Sequence, residues 1–228
     1  MSSHHPNLLI QPLTRERLAA GVAELAGRDP DLAALHGRVG VPPLWARPHG
    51  FGTLVHIILE QQVSLASARA AYDRLLATAD PLTPAHFLTF DDAQLRAFGF
   101  SRQKSGYARS LAQAIVDGEL DLDALPHLAD DSVRDRLLAR KGIGPWSAEI
   151  YLLMALGRAD AWPAGDLALA VAAQEVKGLA SRPDPAALTA LAEPWRPLRA
   201  VAARLLWQHY LTTPRQGRGT TPRATQED

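Results

Sequence analysis

The sequence predicts an all-α protein built as two helical lobes. Apolar residues recur at helical spacing through most of the chain. Capping residues stand at the heads of these runs, and no stretch sustains the period-two alternation of a half-buried strand. In chain order, helices are predicted at about residues 14–26 and 30–37, parted by the break "GRD", and at about 51–62 after the Pro/Gly-rich "VGVPPLWARPHG". Ser64 caps the next, about 64–79. The stretch "DPLTPAHFLTF" then carries a further cap signal at Thr83 before a helix at about 91–98. Ser101 opens one at about 102–117, and the loop "GELDLDALPHLAD" leads to one at about 131–140. The break "KGIG" precedes a helix at about 145–156, and Asp166 caps one at about 167–176. Two prolines, Pro185 and Pro194, begin the last two, about 185–192 and 194–211. The segment "NLLIQPL" is at most an extended arm, and residues 214–228 lack apolar anchors and read as a disordered tail.

Composition narrows the function without naming it. Lys+Arg and Asp+Glu are balanced at 24 each, so a polyanionic partner would have to meet a local patch rather than a global field. With no cysteine there is no disulfide, thiolate metal site, iron–sulfur cluster or thiol nucleophile. The eight histidines are scattered without metal-ligand spacing. Neither a signal peptide nor a membrane-length apolar run is visible, so the chain reads as soluble and cytoplasmic.

The most informative stretch is "LLARKGIGPWSAEIYLLMALG", residues 137–157. Two helical runs flank a tight turn in which Gly142 and Gly144 can take positive φ and leave room for an approaching backbone. Pro145 suits the first turn of the second helix, where its missing N–H is no loss. The amides of such a turn, with a helix dipole behind them and Lys141 beside them, make an anion site suited to phosphate. A plain helical corner with a glycine cap would look the same.

With the following "RADAWPAGDLAL", this stretch resembles the helix-hairpin-helix, Gly/Pro-rich loop and aspartate of the HhH-GPD DNA glycosylases, in particular the 3-methyladenine DNA glycosylase II (alkylbase) branch. Three other stretches are similar to that branch: "LVHIILEQQVSLASARAAYDRL" to its glutamine-bearing helix junction, "LRAFGFSRQKSGYARSLAQAI" to its DNA-wedging turn, and "WRPLRAVAARLLW" to its C-terminal helix. The resemblance implies a glycosylase core over residues 51–213, with the hairpin at 137–157 and the catalytic loop at 158–166. Residues 1–50 would then pack with the C-terminal lobe, being too few for the N-terminal β domain of larger relatives.

The activity implied is excision of alkylated bases from double-stranded DNA, by flipping the base and hydrolysing its N-glycosidic bond without a cofactor. Asp166 would be the catalytic carboxylate, an anion facing the cation-like sugar of the transition state, as well as a helix cap. Trp146 stands where bifunctional relatives carry a Schiff-base lysine, which implies no lyase step. Trp146, Trp207, Ile150 and Gln61 would line the base pocket, with Ile150 in place of a tyrosine and the pocket correspondingly open. Trp45 and Trp195 match no pocket position and default to core.

Gln62, Arg102, Gln103, Lys104, Lys141, Gly142, Gly144, Trp146, Ser147 and Arg199 would contact DNA, Arg102 occupying the position of an apolar wedge. The carbonyls of Leu138, Arg140 and Ile143 would hold any monovalent cation bridging the hairpin to phosphate. A monomer is expected. The alternatives are a glycosylase of the same superfamily for oxidised or mismatched bases, and a non-catalytic helix-hairpin-helix module. The aspartate favours an enzyme, since binding alone needs no acid in the cleft.

Overall fold

A computed structural model describes residues 11–214. The extended-arm reading of residues 7–13 falls mostly outside this range, and the tail reading of 214–228 lies outside it but for Pro214. Among the described residues there are only helices and turns, with no strand.

The helices are α1 (Arg15–Arg28), α2 (Pro30–Val39), α3 (Phe51–Glu60), α4 (Leu65–Leu76), α5 (Pro84–Thr89), α6 (Asp92–Phe98), α7 (Arg102–Val116), α8 (Asp130–Leu138), α9 (Pro145–Ile150), α10 (Leu167–Lys177), α11 (Pro185–Ala192) and α12 (Arg199–Thr212). Their starts are chemically determined. Ser64, Thr83, Ser101 and Asp166 each accept an amide of the first turn and so satisfy a donor that the helix leaves unpaired.

Four elements depart from the sequence reading. The run at 194–211 is divided, because Pro197 has no amide to donate and drives Arg196 into an extended conformation. A 3₁₀ turn (Glu193–Trp195) therefore precedes α12. The run at 145–156 changes at Tyr151 from α9 into a π-helical turn (Tyr151–Ala155). Two short elements, α5 and a 3₁₀ turn at Leu125–His127, are too brief to show a period.

Packing divides the helices into two groups. α1, α2, α10, α11 and α12 form one lobe, in which the N-terminal helices lie directly against α12 and α10. α3 to α7 form the body of the other, and α8 and α9 pair beside α3. Fully buried leucines of α1 and α2 (Leu18, Leu25, Leu32, Leu35) and the apolar face of α3 (Leu54, Ile57, Ile58) anchor a core that runs through both lobes. No helix among the described residues is long and apolar enough to cross a membrane.

Asp29 ties the chain's two ends together. Its carboxylate caps α2 through the amides of Asp31 and Leu32, accepts both-oxygen bonds from Lys177 Nζ at 2.8 and 2.7 Å, and accepts Trp195 Nε1 at 2.7 Å. Burial alone would raise the Asp29 pKa, but the bonds from Lys177 and Trp195 outweigh it and hold the carboxyl below its ordinary value. The stability it contributes is therefore complete above the ordinary aspartate range and is lost as pH falls through the lowered value. Asp29→Ala leaves the Trp195 indole without its acceptor and the Lys177 ammonium with Asp31 alone, and we expect a loss of about 2–4 kcal/mol in urea unfolding at neutral pH. The difference from wild type should shrink in acid.

Candidate active site and nucleic-acid interface

Loop 158–166 delivers Asp166, and it is pinned at three points. Arg158 is fully buried and donates to the carbonyls of Pro126 and Leu128, both at 2.9 Å, with Asp130 3.1 Å from its Nε. Asp160 receives Nε and Nη2 of Arg199 at 2.9 Å each and Arg196 Nη1 at 2.7 Å. Farther along, the amide of Trp162 donates to Glu149 of α9 at 2.7 Å, and Glu149 is itself held by Arg134. A connection this firmly bonded holds its last residue at a fixed place.

At that place three N–H groups from three elements converge on one carboxylate. Asp166 Oδ1 accepts the Leu169 amide at 2.8 Å, the cap of α10, and Trp207 Nε1 of α12 at 3.1 Å. Oδ2 accepts Trp146 Nε1 of α9 at 3.0 Å. A carboxylate has about four lone-pair positions, so one remains on Oδ2, and Asp166 is only half-buried. The ring of Trp45 packs edge-on against Trp207, centroids 6.3 Å apart and planes at 73°. The sequence reading assigned Trp45 to the core; it is partly buried and packed against the core cluster, at the ring of Trp207. Helical periodicity could not have found it, because it lies in an irregular segment.

Of the hairpin's two glycines, only Gly142 takes positive φ, at 89°, while Gly144 is extended at φ −97°, ψ 178°. A Cβ on Gly142 would lie 2.2 Å from Cγ of Tyr107 in α7, whereas one on Gly144 would meet nothing within 4 Å. The fold itself thus requires Gly142 and does not require Gly144. The Ile143 amide closes the turn onto the Arg140 carbonyl at 3.1 Å, and the amides of Gly142 and Gly144 have no hydrogen-bond partner among the described residues. Leu138 ends α8, so its carbonyl is one of that helix's orphan acceptors. One lone pair of Arg140 is already committed to Ile143.

Other expected site residues have different occupations. Gln61 donates through Nε2 to the Gly142 carbonyl at 2.8 Å and to Ser147 Oγ at 3.0 Å, bracing the hairpin from the end of α3. Ser147 is correspondingly buried, with its hydroxyl held by Gln61. Arg199, 6% exposed and bound to Asp160, is a loop anchor rather than a phosphate contact. Lys104 donates to the Leu59 carbonyl at 2.7 Å, closing α3, and burial lowers its pKa. Ile150, 2% exposed, belongs to the core, so it does not open a pocket; the neighbouring Tyr151 is also buried, its hydroxyl meeting the Gly50 amide and His49 Nδ1.

The surface positions do match the expectation of access. Gln62 is exposed with φ 58°, a left-handed turn between α3 and α4 that is costly for a non-glycine residue. Arg102 and Lys141 are exposed without an ion-pair partner among the described residues, and Gln103 donates to the Tyr107 hydroxyl at 2.7 Å. Among the described residues no cluster of His, Asp and Glu could hold a metal ion.

Comparison with known proteins bears on this geometry. Residues 55–197 match the family model described as HhH-GPD superfamily base excision DNA repair protein. DNA-3-methyladenine glycosylase 1 of Schizosaccharomyces pombe is 28% identical over 159 residues, 68% of this chain and 70% of its own. A Mycobacterium tuberculosis protein named a probable bifunctional transcriptional activator/DNA repair enzyme is 32% identical over 196 residues, 82% of this chain. The chain spans only 38% of that relative's length, and 58% of a Bacillus subtilis relative that is 27% identical. The solved structure of the S. pombe 3-methyladenine DNA glycosylase in complex with abasic DNA superposes with a TM-score of 0.76 at 26% identity, covering 83% of this chain and 95% of that one.

The two hairpin glycines should respond differently to substitution. Gly142→Ala combines a left-handed backbone with a clash against Tyr107, and we expect a loss of about 2–4 kcal/mol in denaturant unfolding. Gly144→Val, at an extended position facing open space, should unfold within about 0.5 kcal/mol of wild type.

Proposed function

Because the chain belongs to the HhH-GPD superfamily of base excision DNA repair proteins, we propose that it is a monofunctional DNA glycosylase, which flips alkylated bases of the 3-methyladenine type from duplex DNA and hydrolyses the N-glycosidic bond. The observation that carries this reading is the Asp166 carboxylate, fixed by Trp146, Trp207 and the head of α10 and left with one free lone pair.

Breaking an N-glycosidic bond develops positive charge on the sugar, as in glycoside hydrolysis. An anion held in place beforehand stabilises that charge without reorganising when the bond breaks. The remaining lone pair on Oδ2 can accept a hydrogen bond from water, direct its oxygen at the anomeric carbon, and take up its proton as the C–O bond forms and the base departs with the C–N electrons. Alkylation at a ring nitrogen leaves the purine positively charged, so the departing base takes the bonding electrons readily and little general-acid help is needed. This matches a site whose acid is an acceptor only.

DNA would lie across the hairpin, where the unpaired Gly142 and Gly144 amides and Lys141 offer donors and charge to a phosphate. Any monovalent cation would bind the carbonyls of Leu138 and Ile143 with the second lone pair of Arg140, and would add a positive charge against the DNA backbone. Gln62 and Arg102 are the exposed residues proposed to enter the gap left by the flipped base. The assembly is proposed to act as a monomer, since the proposed chemistry needs only groups from this chain.

Single-turnover assays on dimethyl-sulfate-treated duplex test the reading. Asp166→Asn should lower base release by at least about 10³-fold while keeping duplex affinity. The amide nitrogen would also face one indole N–H, costing about 1 kcal/mol of stability, so folding should be checked in parallel. A mutant releasing bases near the wild-type rate would eliminate Asp166 as the carboxylate in question. In the wild-type reaction, borohydride should trap no protein–DNA adduct, because an indole stands where a lysine amine would attack. A trapped adduct would show a lyase step through another amine.

A further inference from the structure

Helix α9 runs only from Pro145 to Ile150, yet it touches every part on which the proposed chemistry depends. Its head is the hairpin turn, where the Gly144 amide has no hydrogen-bond partner among the described residues. Its second residue, Trp146, donates to Asp166 Oδ2 at 3.0 Å. Three positions on, and so on the same side of the helix, the Glu149 carboxylate accepts the Trp162 amide at 2.7 Å.

Between those two contacts the loop has little freedom of its own. The Ala164 amide donates to the Trp162 carbonyl and the Asp166 amide to the Pro163 carbonyl, both at 2.9 Å. Residues 162–166 therefore close into two successive tight turns. Gly165 passes near the helix, since a Cβ on it would lie 3.8 Å from that of Trp146. One helix thus holds this knuckle at both ends, by Glu149 where it begins and by Trp146 where it delivers the acid.

Glu149 is itself set in place. Arg134 of α8 donates to it through Nε and Nη2, and reaches Asp131 through Nη1 at 2.7 Å. The Glu149 side chain is 14% exposed, so its direction is fixed by these donors rather than by water. Arg158 and Asp160 fasten the loop earlier in the chain; the Glu149 bond is the anchor nearest to Asp166 in sequence, and it comes from the second hairpin helix.

We propose that Glu149 is a positioning residue for base excision, one that passes the seating of the hairpin on a DNA phosphate to the Asp166 carboxylate. The inference rests on the glycosylase reading above. A phosphate drawn to the Gly142 and Gly144 amides fixes the head of α9. The helix is short and moves as one piece, and through Glu149 it takes the start of the knuckle with it. Without that bond the backbone leading to Asp166 loses its nearest anchor, while the hairpin amides that meet the phosphate are untouched. A displacement of about 1 Å at a reacting group costs on the order of a hundredfold in rate.

The test compares wild type with Glu149→Ala and Glu149→Gln in two measurements, with urea unfolding run on each variant. One is single-turnover release of methylated bases from dimethyl-sulfate-treated duplex; the other is affinity for a duplex containing tetrahydrofuran, which has a backbone but no base. Glu149→Ala should slow release by about tenfold or more with unchanged affinity for the tetrahydrofuran duplex. Glu149→Gln keeps an acceptor oxygen at the same reach while giving up the charge beside Arg134, and should recover most of the rate. Should the alanine variant not fold, Glu149→Asp decides in its place. It keeps the charge but draws the acceptor back by one methylene, so it should release bases more slowly than Glu149→Gln; the reverse order would overturn the proposal. Release by a folded Glu149→Ala at the wild-type rate would also overturn it and leave the glycosylase reading standing. An equal fall in release and affinity, or no recovery in a folded Glu149→Gln, would assign Glu149 to DNA grip or to folding, which overturns it too. If wild type releases no methylated base, the glycosylase reading fails and the inference fails with it.

Discussion

The Asp166 carboxylate is the point on which the arrangement depends. A partly desolvated anion must collect hydrogen-bond donors, and here they come from the second hairpin helix, the C-terminal helix and the first turn of α10. Each such bond to a charged group contributes about 1.5–3 kcal/mol, so the three elements are drawn together by the same interactions that position the acid. Structure and proposed chemistry therefore coincide: what holds the lobes in register also orients the carboxylate proposed to face the sugar.

The surrounding ion pairs make sense as support for that convergence. Glu149 joins α9 to the loop through Trp162, and Asp160 joins the same loop to α12 through Arg199. Two further arginines, Arg158 and Arg204, are buried and act on carbonyls of irregular backbone. The planar guanidinium can reach several acceptors in fixed directions, which a lysine ammonium on a flexible stem cannot. Much of the positive charge in this neutral chain is thus committed to the interior or to ion pairs, while Arg102 and Lys141 are exposed and have no ion-pair partner among the described residues. A balanced total charge and a local attraction for phosphate are compatible on these terms.

The hairpin shows how similar residues acquire different duties. Gly142 and Gly144 read alike in the sequence, two glycines in one tight turn. Tyr107 of another helix decides between them, since it closes off the space above Gly142 and leaves that above Gly144 open. The same holds for the polar residues. Gln61, Ser147, Lys104 and Arg199 are the right types to meet DNA, but each bonds a partner remote in the chain.

Sequence alone determined the all-α class, the caps at Ser64, Thr83, Ser101 and Asp166, and the hairpin turn with its following aspartate, because these rest on interactions within a few residues. Family resemblance pointed to Asp166, Trp146 and Trp207 together. Only the tertiary structure decided that both indoles donate to that carboxylate, that Ile150 lies in the core, and that Trp45 packs at the ring of Trp207. The backbone flanking Trp45 is held by Arg204, which lies 160 positions from Leu44 in the chain, and by a π-helical turn whose released carbonyls have no local signature. Contacts between such distant residues carry no periodicity, so they become visible only when the backbone has folded and brought them together.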